Sequence, residues 1–194
     1  SEINGGVLYR APETTTEAME SDGMDTKYYI RWMIRRDMPE VLEIENGCFE
    51  FPWSEEGFIR GLRARNCIGM VAEYDEKVVG YMIYELHKTR LHVINFAAHP
   101  ELHRQGVGCA MARNLISKLR HDRRWRMLLE VRESNLAAQQ FFRAMGFMAT
   151  NILRDFYDDT SEDAYQMEYR VITKGLGLES HGQRFCMAPV GEEP

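Results

Sequence analysis

Apolar and polar residues recur along this chain with two different periods, and each change of period predicts a new element. Between residues 107 and 119 an apolar residue recurs at every fourth position, which predicts a helix with one buried stripe. Residues 91–98 are apolar on both faces apart from His92 and Asn95, as in a central strand that is covered by helices on each side.

The complete pattern predicts elements in the order β-α-α-β-β-β-α-β-α-β-β. The predicted strands are 29–34, 67–74, 78–87, 91–98, 127–132, 147–157 and 164–171, and the predicted helices begin at Asp37, Ser54, Val107 and Asn135. Asp37 and Ser54 are expected to cap their helices. Such alternation predicts an α/β (α+β) fold in which helices cover both faces of one central sheet.

The size of the chain and its composition predict one domain with a well-formed core. The chain has 194 residues, of which 44% are hydrophobic. We expect this domain to occupy residues 25–173. Residues 1–24 show no apolar periodicity, which predicts a flexible arm, and the glycines and late prolines of residues 174–194 predict an irregular tail.

Charge, apolar runs and cysteine spacing exclude several classes of protein. The net charge of −6 argues against a protein that coats nucleic acids, so no direct nucleic-acid contact is expected. The sequence contains no run of about 18 apolar residues, so no membrane helix is expected. The first residues lack the pattern of a secretory signal. The four cysteines lack zinc-ligand spacing, so we expect no metal and free thiols in a reducing cytoplasm.

A glycine-rich turn precedes the helix that begins at Val107. Its residues are Arg104, Gln105, Gly106, Val107, Gly108 and Cys109. Two glycines one residue apart let the backbone approach a bulky anion, and the first N–H groups of the helix point at it, which favours a phosphate or pyrophosphate ligand. A P-loop is excluded because Cys109 and Ala110 follow the last glycine, and Met111 replaces the third glycine of a dinucleotide fingerprint. The alternative is a helix start that needs only a tight turn.

Glu130 and Asn135 are the other polar residues that the pattern singles out. Alternation places Glu130 on one strand face with Leu128 and Arg132, where a carboxylate is costly unless it is partnered or used. Without a functional role, Glu130 pairs with Arg132 or the backbone, or lies on a solvated face. Asn135 either caps its helix or reaches a ligand that crosses the sheet.

These features together resemble the GNAT superfamily of acetyl-CoA-dependent N-acetyltransferases. The resemblance spans residues 28–171 and rests on the motifs Asn95-Phe96-Ala97-Ala98, Arg104-Gln105-Gly106-Val107-Gly108, Leu129-Glu130-Val131-Arg132 with Ser134-Asn135, and Phe142-Arg143-Ala144-Met145-Gly146-Phe147. Phe51-Pro52-Trp53-Ser54, the Glu130-Val131-Arg132 strand end and Phe156-Tyr157 are similar to the ribosomal-protein-alanine branch, which acetylates the α-amine of a protein N-terminus. The resemblance implies a mixed, mostly antiparallel sheet that binds acetyl-CoA at a splay between strands four and five.

The resemblance also implies roles for individual residues. The residues expected to bind the cosubstrate acetyl-CoA are Phe96, Ala97 and Ala98 at the pantetheine arm, Arg104, Gln105, Gly106, Val107, Gly108 and Cys109 at the pyrophosphate, and Asn135 and Phe142. Glu130 maps onto the general base. Phe51, Trp53, Phe156 and Tyr157 are expected to line the substrate site, although Phe51 and Trp53 are equally consistent with plugs of the core.

Two residues depart from the family pattern. His103 stands where the pyrophosphate loop usually opens with Gln or Arg, which matters little because backbone N–H groups bind the phosphates. Phe142 stands where the family has the tyrosine that protonates the departing CoA thiolate. That proton must then come from Tyr157 or from water, or the thiolate leaves unprotonated.

The resemblance therefore predicts a cytoplasmic enzyme that acetylates a protein N-terminus, with a basic ribosomal protein as the expected partner. The acidic residues of the last hairpin, 155–163, are either a solvated turn or a rim that attracts a basic peptide. The alternatives are acetylation of a small amine and, because of Phe142, a non-catalytic module that only binds acetyl-CoA.

Overall fold

The computed structural model describes residues 27–171 and confirms the predicted order of elements. The strands are β1 (Tyr29–Trp32), β2 (Cys67–Tyr74), β3 (Lys77–Leu86), β4 (Arg90–Ala98), β5 (Arg126–Arg132), β6 (Met148–Tyr157) and β7 (Glu162–Arg170). The helices are α1 (Met38–Cys48), α2 (Glu55–Leu62), α3 (Val107–Ser117) and α4 (Leu136–Ala144). The arm 1–24 and the tail 174–194 lie outside the described residues, so the domain limits 25–173 stay a prediction.

All seven strands form one sheet in the order β1-β2-β3-β4-β5-β7-β6. Every neighbouring pair is antiparallel except β4 and β5, which run parallel. This arrangement confirms the predicted α/β (α+β) fold with a mixed, mostly antiparallel sheet.

The pairing between β4 and β5 stops early. Three residue pairs join them, the last of which is His92 with Leu128, although β4 continues to Ala98 and β5 to Arg132. We call the unpaired stretch, residues 93–98 of β4 and 129–132 of β5, the β4–β5 fork. The splay expected between strands four and five is therefore present.

Helices cover both faces of the sheet and bury two separate apolar clusters. One cluster includes residues of α1 and α2 such as Val41, Ile44 and Phe58, and the other includes Val107, Met111 and Leu115 of α3 with Phe142 of α4. The predicted buried stripe of α3 is confirmed, but the helix ends at Ser117, so Leu119 is buried beyond its end. Within residues 27–171, no helix combines the length and apolar character that crossing a membrane requires.

The two predicted caps differ in outcome. The hydroxyl of Ser54 accepts a hydrogen bond from the Gly57 N–H at 3.2 Å, as expected for the cap of α2. The prediction that Asp37 caps α1 through its side chain is wrong. Its carboxylate instead accepts from the Ile34 N–H and from both terminal nitrogens of Arg31, at 2.7 and 2.9 Å. These bonds also explain why β1 ends at Trp32 and not at Ile34.

The Asp37–Arg31 pair predicts a loss of stability in acid. Burial opposes ionisation of Asp37, but the bonds from Arg31 and the Ile34 N–H outweigh it and lower the pKa of the carboxyl. A lowered folded pKa stabilises the fold above the unfolded value of about 3.9, and this contribution is lost as the pH falls through the folded value. We expect Asp37→Asn to reduce the free energy of unfolding by about 3 kcal/mol at pH 7.

Urea denaturation at pH 7 and at pH 3 checks this expectation. The difference between the wild type and Asp37→Asn should shrink at pH 3, while Asp75→Asn, at an exposed turn where Asn tolerates the φ of 50°, serves as the control. An equal difference at both pH values would contradict the assignment.

Candidate active site

Glu130 lies at the base of the β4–β5 fork, on the sheet face that carries α1 and α2. Its strand neighbours Leu129 and Val131 belong to the cluster on the opposite face, so the alternation of side chains turns Glu130 towards α1 and α2. His92 leaves β4 on the same face. His92 is at the last paired position of β4, and its Nε2 lies 2.6 Å from Oε2 of Glu130, two residues beyond the last paired position of β5.

Glu130 is largely buried and ionised. Its side chain is 12% exposed, and Gln166 of β7 donates to its second oxygen at 3.2 Å. Burial opposes ionisation, but the bonds from His92 and Gln166 and the charges of His92 and Arg90 outweigh it and lower the pKa of Glu130. The expected alternative partner, Arg132, bonds elsewhere.

Arg132 joins three segments at the tip of the fork. Its guanidinium donates to Asp159 in the β6–β7 turn at 2.6 Å and to Glu162 at the start of β7 at 3.3 Å. Its charged end also lies 3.8 Å from the ring centroid of Tyr157 and 5.7 Å from that of Phe51. The sequence-predicted residues Phe51, Tyr157 and Glu130 are therefore brought to one region, through an arginine for which no such role was predicted.

Tyr157 keeps its proton at neutral pH. Burial raises the pKa of its phenol to about 12, and although the charge of Arg132 opposes the shift, that of Glu130 adds to it. The neighbouring Phe156 is 45% exposed, and its ring stands 5.1 Å from that of Tyr157. The pair thus offers an exposed apolar surface beside an O–H group that can donate a proton.

The acidic hairpin is partly neutralised within itself. Asp159 and Glu162 pair with Arg132, and Asp163 pairs with the exposed Arg154. Carboxylates still outnumber arginines in this hairpin, because Asp155 and Asp158 add to them. The acidic rim stays a prediction, with less charge available than the sequence indicates.

A buried carboxylate that the sequence analysis did not identify fixes the loop between α1 and α2. Glu45 of α1 is 1% exposed and accepts hydrogen bonds from the Tyr81 hydroxyl, from Asn95 Nδ2 at 3.2 Å and from the Trp53 N–H at 2.7 Å. Burial, together with the charge of Glu45, raises the pKa of Tyr81 above its usual range. This network ties the loop to β3 and to the start of the fork on β4.

Trp53 and Phe51, expected to share one role, have different environments. The Trp53 ring packs edge-on against buried Phe58, with centroids 5.4 Å apart, so it belongs to the core. Phe51 is 46% exposed beside Arg132. Of the two residues, Phe51 is the one that faces the region of Tyr157.

Beside the fork, Glu85 and His87 form a second histidine–carboxylate pair. Glu85 lies opposite His92 in the β3–β4 register, and its Oε2 is 3.0 Å from His87 Nε2. Glu85, His87 and His92 place ligand atoms within 4.8 Å of one another, but each imidazole Nε2 is already bonded to a carboxylate. The arrangement is that of two separate pairs, and the expectation of a metal-free protein stays a prediction.

The glycine-rich turn has the features of an anion site. Gly106 is the N-cap of α3 with a φ of +95°, and it offers no side chain to the first N–H groups of the helix. A Cβ on Gly108 would lie 3.2 Å from the ring of Phe141, so any other residue there would require that ring to shift by a few tenths of an ångström. Tyr28 donates to the Gln105 carbonyl at 2.8 Å, which fixes the turn that Arg104 enters with a φ of 63°.

The far end of β4 lies next to this turn. The Ala98 carbonyl accepts from Cys48 at 3.2 Å and lies 2.9 Å from His103 Nε2, so His103 secures the strand end. Along Phe96, Ala97 and Ala98 the strand pairs with β3 on one side, and in the described chain no strand pairs with its other edge. That open edge can pair with an extended ligand.

Phe142 and Asn135, both predicted to contact CoA, have clear structural roles. Phe142 is 7% exposed and packs within 5.5 Å, between centroids, of Phe96, Phe141 and Phe147. Asn135 caps α4, since its side-chain oxygen accepts from the Ala138 N–H at 3.0 Å. Contact of either residue with CoA stays a prediction.

Gly106 provides a direct test of the turn. A Cβ there would make only an ordinary contact, 3.9 Å from the ring of Tyr28, so the φ of +95° makes Gly106→Ala unfavourable, by about 1–2 kcal/mol of unfolding free energy. If the turn binds a diphosphate, this distortion should also weaken CoA binding about tenfold. Urea denaturation and calorimetry with CoA check both effects.

The matched control for this test is Gly57→Ala, within α2. Its Cβ makes only ordinary contacts, so it should leave CoA binding unchanged. Unaltered affinity in Gly106→Ala would remove the turn from the CoA site.

Comparison with known proteins agrees with this geometry. Residues 38–147, more than half of the chain, match the model of the acetyltransferase (GNAT) family. The ribosomal protein bS18-alanine N-acetyltransferase of Escherichia coli K12 is 31% identical over 133 residues, which are 68% of this chain and 89% of that protein. The crystal structure of the ribosomal-protein-S18-alanine N-acetyltransferase from Escherichia coli matches with a TM-score of 0.68 and 28% identity, over 78% of this chain and 99% of that one.

A third match shows the same fold around the cosubstrate. Arabidopsis thaliana NAA60 in complex with acetyl-CoA has a TM-score of 0.65 at 15% identity, over 74% of this chain and 99% of that one. These matches confirm the resemblance that the motifs indicate. The fork, the glycine-rich turn and the family match lead to one conclusion: this chain belongs to the GNAT family of acetyltransferases.

Proposed function

We propose that this protein transfers the acetyl group of acetyl-CoA to the N-terminal α-amine of a protein. The observation that carries the proposal is the buried, ionised Glu130 at the base of a fork whose other strand presents an unpaired edge. An acyl group aligned with that edge and an amine that enters beside Glu130 would meet in the fork.

Acetyl-CoA fits the described residues along β4 and α3. The unpaired edge at Phe96, Ala97 and Ala98 suits the amide groups of a pantetheine arm, and its N–H groups would stabilise the tetrahedral oxyanion. The uncapped helix start after Gly106 suits the diphosphate. Both features are properties of the backbone, which supports binding despite the departure at His103.

The choice of an α-amine follows from the weak base. An α-amine has a reference pKa of about 7.7–8.0, against about 10.4 for the lysine side chain. Deprotonating a lysine therefore costs roughly 3.5 kcal/mol more near neutral pH. A carboxylate whose pKa is lowered, as that of Glu130 is, suits the easier substrate.

Tyr157 is one described group that can supply the proton of the leaving thiol. Phe142 cannot do so, because it has no hydroxyl group. Tyr157 is protonated at neutral pH, and the charge of Glu130 acts on it. Since thiols are moderately acidic, with a pKa of about 8–9, water or an unprotonated leaving group can replace it.

We further propose a basic ribosomal protein as the substrate and the cytoplasm as the location. The support is the similarity to relatives named for ribosomal protein bS18-alanine acetylation and the acidic residues of the β6–β7 hairpin. If the hairpin attracts a basic peptide, kcat/KM should fall with added salt.

Acetylation of an N-terminal peptide library, with product identification by mass spectrometry, tests the function. Acetyl groups on α-amines, with peptides beginning in alanine among the best substrates, would support the proposal. Acetylation of free amines but not of peptides would favour the small-amine alternative. CoA binding without release of thiol for any acceptor would favour a binding module, the alternative that Phe142 motivates.

A further inference from the structure

The contact between His92 Nε2 and the Glu130 carboxylate needs a hydrogen atom between them. Without a proton, both atoms are hydrogen-bond acceptors and would repel each other. The atoms are 2.6 Å apart, a distance that only a shared proton allows. Glu130 is ionised, so the proton resides on His92 Nε2. A neutral His92 then carries its lone pair on Nδ1, for which the described residues provide no hydrogen-bond partner.

His92 is also open to solvent and to an incoming amine. Its side chain is 28% exposed, against 12% for Glu130. It stands at the last paired position of β4, where the fork begins. The His92 side chain is thus the more accessible of the two basic groups.

The basicity of the two groups favours the imidazole. The hydrogen bonds that Glu130 accepts lower the pKa of its carboxyl, which makes Glu130 a weak acceptor for a proton from an α-ammonium group. A neutral imidazole is intrinsically a stronger base than a carboxylate. A carboxylate bonded to Nε2–H stabilises the imidazolium that forms, as in other histidine–carboxylate pairs.

Within residues 27–171, few charged and titratable groups lie around the His92–Glu130 pair. Glu85 and His87 of β3 bond to each other, with the His87 ring centroid 6.5 Å from that of His92. On β4 itself, the charge of Arg90 acts on Glu130. From β6, Tyr157 faces Glu130, and Glu45 of α1 is occupied by Tyr81, Asn95 and Trp53.

We propose that His92 and Glu130 act as one base, in which the proton that leaves the substrate ammonium ends on His92 Nδ1. The inference rests on the proposed function and adds a catalytic residue to it. The ammonium loses one proton to Nδ1, and the freed electron pair forms the C–N bond to the acetyl carbon. The C–S bond breaks with its electron pair on sulfur. The thiolate receives the second amine proton, directly or relayed by Tyr157 or water, which gives the amide, the free thiol and an imidazolium beside Glu130.

The pH dependence of kcat, at saturating acetyl-CoA and peptide, tests this assignment through His92→Gln. In the wild type, protonation of the base should produce an acid limb of the pH profile that lies below the pH at which the substrate amine titrates. In His92→Gln the limb should move to about pH 8, where the amine itself titrates, and kcat at pH 7 should drop about 100-fold. If the acid limb of the pH profile does not move in His92→Gln, the assignment of His92 as the proton acceptor is overturned.

His87→Gln is the matched control, because it removes the neighbouring histidine of the second pair. Its kcat and pH limb should equal those of the wild type. If removing His87 moves the limb as much as removing His92 does, the specific role of His92 is overturned.

A measurement that needs no substrate separates this inference from the proposed function. In ¹⁵N NMR spectra of wild-type protein at pH 8, His92 should be protonated on Nε2 and unprotonated on Nδ1, and Glu130→Gln should mix the two tautomers. A proton on Nδ1 of the neutral ring would overturn the pair even if peptides are acetylated. If no peptide is acetylated, the proposed function fails, and the tautomer alone decides whether the pair exists.

Discussion

Glu130→Gln should lower kcat for peptide acetylation by about 10²- to 10³-fold. The substitution keeps the shape of the side chain and its place at the base of the fork, but an amide can neither hold the negative charge nor stabilise an imidazolium on His92. CoA binding depends on backbone groups of β4 and α3, so the dissociation constant should stay within about twofold. Steady-state kinetics and calorimetry with CoA measure the two effects.

Glu133→Gln provides the matched control for this prediction. Glu133 is exposed and lies just beyond β5, three residues after Glu130. Its substitution by Gln removes the same charge. Its kcat should equal that of the wild type. An unchanged rate in Glu130→Gln, or an equal loss in both variants, would remove Glu130 from the chemistry.

Glu45→Ala should reduce the free energy of unfolding by about 3–5 kcal/mol. The substitution leaves the Tyr81 hydroxyl, the Asn95 amide and the Trp53 N–H without their shared acceptor in a site that is 1% exposed. This loss is a large fraction of the 5–15 kcal/mol that holds a typical domain folded. Urea denaturation monitored by tryptophan fluorescence measures it.

Two further substitutions separate the network from the general effect of losing a carboxylate in α1. Glu43→Ala removes an exposed carboxylate from the same helix and should change the unfolding free energy by less than about 0.5 kcal/mol. Glu45→Gln keeps an acceptor in place and should fall between the two. A loss in Glu45→Ala no larger than in Glu43→Ala would contradict the importance of the network.

The sequence predicts most of the fold because local periods and turn residues determine the elements. The stripe of α3, the Ser54 cap and the apolar strand 91–98 were each readable from a few neighbours. The failure at Asp37 has the opposite origin: a salt bridge to Arg31, which approaches only once β1 lies beside the start of α1, outweighs capping. Local capping preference did not indicate that competition.

The candidate site was predictable in its chemistry but not in its pairings. The sequence identified Glu130 as a carboxylate that needs a partner. Arg132 was the expected partner because it lies on the same face of the same strand. The actual partner, His92, is 38 residues away and is reached only because β4 and β5 are parallel neighbours. His92 and Asn95 were visible as polar interruptions of an apolar strand, but the sequence analysis linked neither His92 to Glu130 nor Asn95 to Glu45.

The short pairing between β4 and β5 has a mechanical consequence. The sheet is in effect two smaller sheets, β1–β4 and β5–β7, joined by a seam of three backbone pairs and closed at its edge by the His92–Glu130 bond. An extended cosubstrate lying along the open edge of β4 would replace the contacts that β5 does not make there, and it would hold the two strands apart. When the cosubstrate leaves after the reaction, the two halves of the sheet are held together least strongly. The His92–Glu130 bond, to which we assign proton transfer, would then also limit how far the two halves can move apart.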